Sequence, residues 1–191
     1  ISAQKGKARP FRRFFRKLLG LPMNCKFTKP RPSQSLARLA TQFMITNGLK
    51  ESRTLVLCPY ARSIDMSHGV NTSEEFESFF LSVYAQARQL GFTVAVNDNL
   101  QKQKNLPKCV NLGELDIDLL FAIICKSGYM CSTRSGICDL VAMSGVTKMA
   151  VIYPDIGLQR RFVLKQFPSA KELLLNGSMT TAEVFNFFAS S

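Results

Sequence analysis

The sequence predicts an α/β fold, a doubly wound parallel sheet with helices on both faces, preceded by a basic helical arm. Three observations predict it. From Thr54 onward, short apolar runs alternate with stretches of helical periodicity. The runs are apolar throughout rather than at every second residue, as in strands covered on both faces, and such alternation implies right-handed crossovers. Second, 191 residues of which 46% are apolar suit one domain plus an appendage, with enough apolar material for a substantial core. Third, the charge is segregated. Residues 1–50 carry 12 Lys/Arg and no acid, whereas residues 51–191 carry 13 Lys/Arg against 13 Asp/Glu. The net charge of +12 therefore belongs to the arm and the body is neutral. A nucleic-acid-binding domain usually spreads basic residues over its folded face, so nucleic acid is not an expected partner.

In chain order, residues 10–20 ("PFRRFFRKLLG") place Phe11, Phe14, Phe15, Leu18 and Leu19 on one helical face and Arg12, Arg13, Arg16 and Lys17 on the other. Pro10 suits a first turn and Gly20 a C-terminal cap. Residues 21–33 contain three prolines and read as a linker, so that 1–33 form arm and linker and 34–191 the domain. Residues 35–47 predict an amphipathic helix with Leu36, Leu39, Ala40, Phe43 and Met44 inward, ended by Gly48. Residues 54–58 ("TLVLC") predict a buried strand broken at Pro59. Residues 73–90 predict the clearest helix. Thr72 and Glu75 make a capping box, Phe76, Phe79, Phe80, Val83, Ala87 and Leu90 the stripe, and Gly91 the stop. Strands at 92–97, 129–132 and 148–154 and helices at 114–127, 136–145 and 180–188 follow, the last with a hydroxyl cap. No internal repeat or low-complexity tract interrupts them.

Several function classes are excluded on composition. The cysteines at 25, 58, 109, 125, 131 and 138 show neither a Cys-x-x-Cys pair nor zinc-like spacing. Several sit in apolar runs as small hydrophobes, which suggests a reducing compartment, no disulfides and no metal cluster. The lone His68, in a polar loop, cannot build a metal site or a Ser-His-Asp arrangement by itself. No apolar run approaches the roughly 18 residues of a spanning helix, and no signal peptide is apparent. The first residue is Ile rather than Met, the pattern of a processed or shortened chain.

In an open parallel sheet, ligands bind beyond the carboxyl ends of the strands. Three such ends are chemically loaded: "PYARS" (59–63), "NDN" (97–99) and "STRSG" (132–136). The third is the strongest. Ser135 and Gly136 would open the next helix, presenting free N–H groups and the positive end of its dipole. Ser132, Thr133 and Arg134 add donors, and Gly136 lets a phosphate approach the backbone. With Arg62 and Ser63 from the first loop, this set could hold a pyrophosphate. The plainer alternative is that Ser132 or Ser135 caps a helix and Arg134 is solvated. Without GxxxxGK[ST] the chain is not a P-loop ATPase. Asp116-x-Asp118 imitates a metal-binding Asp-x-Asp but lies in a first helical turn, where acids complement the dipole. Asn97, Asp98 and Asn99 could touch a nucleoside or form a turn. Tyr153, Pro154 and Asp155 end a strand near the same cleft, and Asp139 either meets a sugar hydroxyl or pairs with Arg134.

The run from about 52 to 155 resembles the C-terminal, donor-binding half of GT-B glycosyltransferases. It looks most like the ADP-heptose:lipopolysaccharide heptosyltransferase family and, more distantly, GT-B fucosyltransferases. The resemblance rests on "LVLCPYARS", the 73–90 helix, "FTVAVN", "NLGELDIDLLFAIICKSG" and "YMCSTRSGICDLVAMSGVTKMAVIYP". Ser135 and Gly136 match the family's "N-D-S-G-P-x-H-L-A" turn, whereas Arg134 stands where that turn has Asp and Asp139 where it has His. The fold and the phosphate-binding role therefore carry over better than the donor's identity.

The resemblance implies a Rossmann-like half-domain that binds a nucleotide-diphospho-sugar and belongs to an enzyme transferring the sugar to a bacterial surface or capsular glycan acceptor. It implies a glycan or lipid-linked acceptor, no cofactor and no metal. It also implies a catalytic base from the other half, so this chain alone binds donor without efficient turnover. A cytoplasmic, membrane-peripheral place follows if residues 1–20 meet an anionic membrane surface; packing of that helix on protein is the simpler alternative. The rival class is a non-catalytic Rossmann-like interaction module whose basic arm binds a membrane or nucleic acid.

Overall fold

A computed structural model describes residues 29–59, 74–97, 109–153, 164, 167–175 and 177–190. The predicted arm helix at 10–20, the Thr72 cap, His68 and the loop residues Arg62, Ser63, Asp98, Asn99, Pro154 and Asp155 lie outside the described residues. In chain order the elements are α1 (Gln34–Thr46), β1 (Thr54–Cys58), α2 (Glu74–Gln89), β2 (Thr93–Val96), β3 (Val110–Asn111), α3 (Ile117–Ser127), β4 (Gly128–Thr133), α4 (Gly136–Ser144), β5 (Lys148–Tyr153), β6 (Ala170–Leu174) and α5 (Gly177–Ala189).

The six strands form one sheet in the order β3-β2-β1-β4-β5-β6, and every neighbouring pair is parallel. β1 shows why its sequence is continuously apolar. Leu55 and Leu57 face one layer, Val56 and Cys58 face the other, and the whole strand is buried. α1, α3 and α4 cover the first face through Ala40 and Met44, Leu120 to Ile124, and Ile137, Val141 and Ala142. α2 and α5 cover the second through Phe76, Phe80, Val83, Val184 and Phe185. The β1-to-β2 and β4-to-β5 crossovers run in opposite directions across the sheet. Right-handedness therefore sends their helices, α2 and α4, to opposite faces.

On the second face Phe92, Tyr129, Phe185 and Phe188 stack edge-on or tilted, with centroids 5.1–6.4 Å apart. Lys148 fastens the end of α5 by donating from Nζ to the carbonyls of Phe188 and Ser190. On the first face Gly128 joins α3 to β4 without a break. Its φ is +89°, and a Cβ there would lie 3.0 Å from the Ser52 Cα. Only glycine suits both the dihedral and the approach.

The structure departs from the expected elements in a few places. Leu39 is 57% exposed and Leu90 46% exposed, although both were expected in apolar stripes. Leu39 lies about 100° round α1 from Ala40, outside the line that meets α3. Leu90 has left the helix for the turn at Gly91, and its carbonyl accepts Arg53 Nη2 at 2.7 Å. The helix expected from 114 starts at Ile117. The Asn111 side chain accepts the Gly113 N–H at 2.8 Å and holds a turn there instead. Thr180, expected near a helix cap, sits inside α5 and donates its hydroxyl to the Leu174 carbonyl. β3 and β6 are additional strands at the two edges of the sheet, β3 being very short.

Candidate functional site

The strand order reverses between β1 and β4, which pair side by side with Cys58 opposite Ser132. Connections leave these two strands toward opposite sides, so their carboxyl ends flank a crevice, the usual ligand position in such sheets. "STRSG" lies on one side of this point. On the other, Pro59 is described and Arg62 and Ser63 are not. Asn97, next along the edge, donates its N–H to the Leu57 carbonyl at 2.8 Å and its side chain bonds Cys58.

Ser132 and Thr133 end β4 and are buried. The Ser132 hydroxyl donates to the Thr133 carbonyl at 2.6 Å, and that of Thr133 to the Cys58 carbonyl at 3.4 Å. Cys138 reaches back from α4 and donates to the Thr133 carbonyl at 3.4 Å and the Ser132 hydroxyl at 3.5 Å. These residues thus brace the turn from behind. Ser135 takes the N-cap position in extended conformation, but its side chain makes no capping bond. Its carbonyl accepts the Cys138 N–H at 3.1 Å. Among the described residues outside its chain neighbours and its own helix backbone, a Cβ on Gly136 would meet no atom within 4 Å. An extended N-cap whose hydroxyl leaves the first N–H groups alone is an end able to accept an anion.

Arg134 is not the solvated arginine of the plainer reading, since its side chain is only 12% exposed. Nη2 donates to Asp139 Oδ1 at 2.8 Å, and Nη1 donates to the Ser135 carbonyl at 2.6 Å. Burial is the largest influence on this guanidinium and works against its charge. Asp139 and weaker neighbours outweigh it and hold its pKa above the ordinary arginine value. Asp139 itself remains half exposed, at 51%. Of the two alternatives for Asp139, the pairing with Arg134 is therefore present, and it leaves part of the carboxylate open to solvent.

Tyr153 ends β5 fully buried and donates to Glu172 Oε1 of β6 at 2.7 Å. Burial, reinforced by Glu172, drives its phenol far above the ordinary value, so it stays protonated. Glu172 was not singled out from sequence because "AKELL" carries neither alternation nor a continuous apolar run. A lone acid next to the apolar pair Leu173 and Leu174 is the available signal. Burial likewise pushes the Cys58 and Cys131 thiols up, which makes them inert rather than nucleophilic. Asp116 and Asp118 are exposed at the N-cap and first turn of α3, where they complement the dipole.

No protein-family model and no curated protein matches the chain. Solved structures do. A glycosyl transferase family 9 protein from Veillonella parvula superposes with a TM-score of 0.67 at 12% identity, over 97% of this chain and 60% of that one. The E. coli ADP-heptose LPS heptosyltransferase II superposes with a TM-score of 0.62 at 14% identity, over 89% of this chain and 56% of that one. The chain thus spans under two thirds of the length of either protein. At these identities the likeness is one of fold: the parallel α/β arrangement of sheet and helices.

Proposed function

We propose that this chain is the nucleotide-diphospho-sugar-binding domain of a glycosyltransferase, similar to the C-terminal half of a GT-B enzyme and serving a bacterial surface or capsular glycan. The observation that carries the reading is the uncapped, open N-terminus of α4 at the point where the strand order reverses. The likeness to two glycosyltransferase structures supports it. In this reading the Gly136 and Ile137 amides and Arg134 receive the diphosphate, with Arg62 and Ser63 completing the cradle. Ser132 and Thr133 hold the turn in shape. The acceptor hydroxyl forms the new bond to the anomeric carbon while the bond from that carbon to the phosphate oxygen breaks. The nucleoside diphosphate leaves with the electron pair, and the helix dipole and arginine stabilise its charge. The hydroxyl proton passes to a base outside this half, so donor binds here without efficient turnover. Place in the cell is proposed as cytoplasmic.

A thermal-shift screen of ADP, GDP and UDP with their sugars tests this. Stabilisation by at least one nucleotide set, equal in EDTA and in magnesium, is the expected result. A strict metal requirement abolished by Asp116→Asn/Asp118→Asn would return the role to those carboxylates, and no stabilisation by any nucleotide would remove the reading.

A further inference from the structure

The edge of the sheet opposite the candidate site, where the strands begin, has a composition of its own. α2, α3 and α4 end where β2, β4 and β5 start, α1 ends ahead of β1, and Lys148 at the start of β5 holds the end of α5. This edge gathers Lys50 and Arg53 before β1, Arg88 at the end of α2, Lys126 at the end of α3, and Lys148. Lys29 joins them, its Nζ 3.6 Å from where a Cβ on Gly145 would lie. Glu51 is the one acid among the described residues of this edge, and it pairs with Lys126 at 2.8 Å. Glu75 and Glu77 of α2, Asp116 and Asp118 of α3 and Asp139 of α4 lie toward the other edge. Helix dipoles account for part of this segregation, since bases favour helix C-termini and acids N-termini. They do not account for exposed apolar residues among the bases. Ile45, in the last turn of α1, is 68% exposed, Val146 before β5 is 52% exposed, and Leu90 before β2 is exposed as well. β2 and β5 stand three strands apart in the sheet. At about 4.8 Å per strand, the connections that carry Leu90 and Val146 lie roughly 14 Å apart along the edge.

We propose that this edge is a docking face for an anionic lipid surface. Bases set among exposed aliphatic side chains match such a surface, because the charges meet lipid phosphates while the aliphatic groups enter the headgroup boundary. Nucleic acid fits less well. Single strands stack on exposed aromatic rings, and none of the described large hydrophobic residues that are exposed is aromatic. The chain before Lys29 joins the fold at this same edge, and residues 1–28 carry eight Lys/Arg and no acid. The stretches that lead into β3 and β6, 98–108 and 154–166, each hold three Lys/Arg against one Asp, so they cannot reverse the sign. Docked in this way, the domain holds the carboxyl ends of its strands, and the candidate donor site with them, away from the lipid.

Co-sedimentation of the whole chain with mixed phosphatidylcholine–phosphatidylserine vesicles at low salt tests the face. Each Lys or Arg close to an anionic membrane strengthens binding about fivefold, so Lys50→Gln/Arg88→Gln should bind about 25-fold more weakly than wild type. Both side chains are exposed, and an unchanged melting temperature would show the fold intact. Lys50→Gln alone, about fivefold weaker, is the readout if the pair unfolds. Adding Glu75→Gln/Glu77→Gln restores the net charge from the opposite edge and should leave binding weak. Ile45→Ser/Val146→Ser should weaken it about tenfold. The proposal is overturned if the wild type stays in the supernatant, if the first pair binds as wild type does, or if the four-residue variant recovers. A serine pair without effect overturns it equally. Tighter binding to an oligonucleotide than to the vesicles, lost in the same Gln pair, would give the edge to nucleic acid instead.

Discussion

Gly136 separates a structural role from a ligand-binding one more cleanly than any other residue of the site. Among the described residues, nothing beyond its own helix lies within 4 Å of where its Cβ would be. The Cβ of Gly136→Val therefore meets no described atom beyond its own helix, so the change should alter stability by less than about 1 kcal/mol, yet its branched side chain stands where a phosphate would approach the amides. Loss of nucleotide affinity with an unchanged melting temperature is the expected outcome; unaltered calorimetric affinity would show that no ligand comes to this helix end. Arg134→Ala is the complementary change. It removes a charged hydrogen-bond donor, and affinity for a nucleoside diphosphate should fall by about 1.5–3 kcal/mol. The variant also leaves Asp139 without its partner, so the loss should exceed that in the double variant Arg134→Ala/Asp139→Asn. Equal affinity in wild type and Arg134→Ala would confine the arginine to bracing the turn through the Ser135 carbonyl.

Among the elements, the junction of α3 and β4 is the most constrained. Gly128 follows Ser127 directly into the strand, opposite Thr54 of β1, with its Cα face against the Ser52 backbone. Gly128→Ala should cost about 2–4 kcal/mol, from a disfavoured dihedral and a contact that backbone cannot relieve. Chemical denaturation of the two proteins measures it, and a cost below about 1 kcal/mol would mean that the 51–53 turn yields easily. The helices show which part of an apolar stripe a sequence can assign. The stripe of α2 is buried from Phe76 to Ala87, because periodicity reports one continuous contact. On α1 the same pattern overreached at Leu39, because a helix packing on a single neighbour buries a narrower line than its apolar residues span.

At the scale of the whole molecule, the charge asymmetry sets a question for the arm. Seven of the twelve basic residues of 1–50 fall in residues 1–20, and four of them, Arg12, Arg13, Arg16 and Lys17, interleave with Phe11, Phe14, Phe15, Leu18 and Leu19. We propose an anionic surface as one destination of this segment and protein packing as the other. No helix among the described residues is long and apolar enough to cross a membrane. Each Lys or Arg near an anionic membrane contributes about 1 kcal/mol, and aromatic residues at the interface add to it. Co-sedimentation with phosphatidylserine vesicles at low salt, lost on deleting residues 1–20 and absent with neutral vesicles, is the expected result for a membrane segment. Retention of the chain in the supernatant would assign the segment to packing on protein.

Residue order alone was enough to place β1, β2, β4 and β5 and to put Ser135 and Gly136 at the opening of a helix. Each of those features follows from how one segment meets its own surroundings: continuous burial for an inner strand, a 3.6-residue stripe for a helix, small residues at a strand-to-helix turn. The tertiary structure decided what depends on partners distant in the chain. It set the strand order that places the turn at the reversal between β1 and β4, and it recruited "AKELL" as an edge strand through pairing with β5. It brought Glu172 to Tyr153 and closed Asp139 onto Arg134. Pairings of that kind are chosen by competition among whole arrangements of the chain, and no local period in the sequence records which one has the lowest free energy.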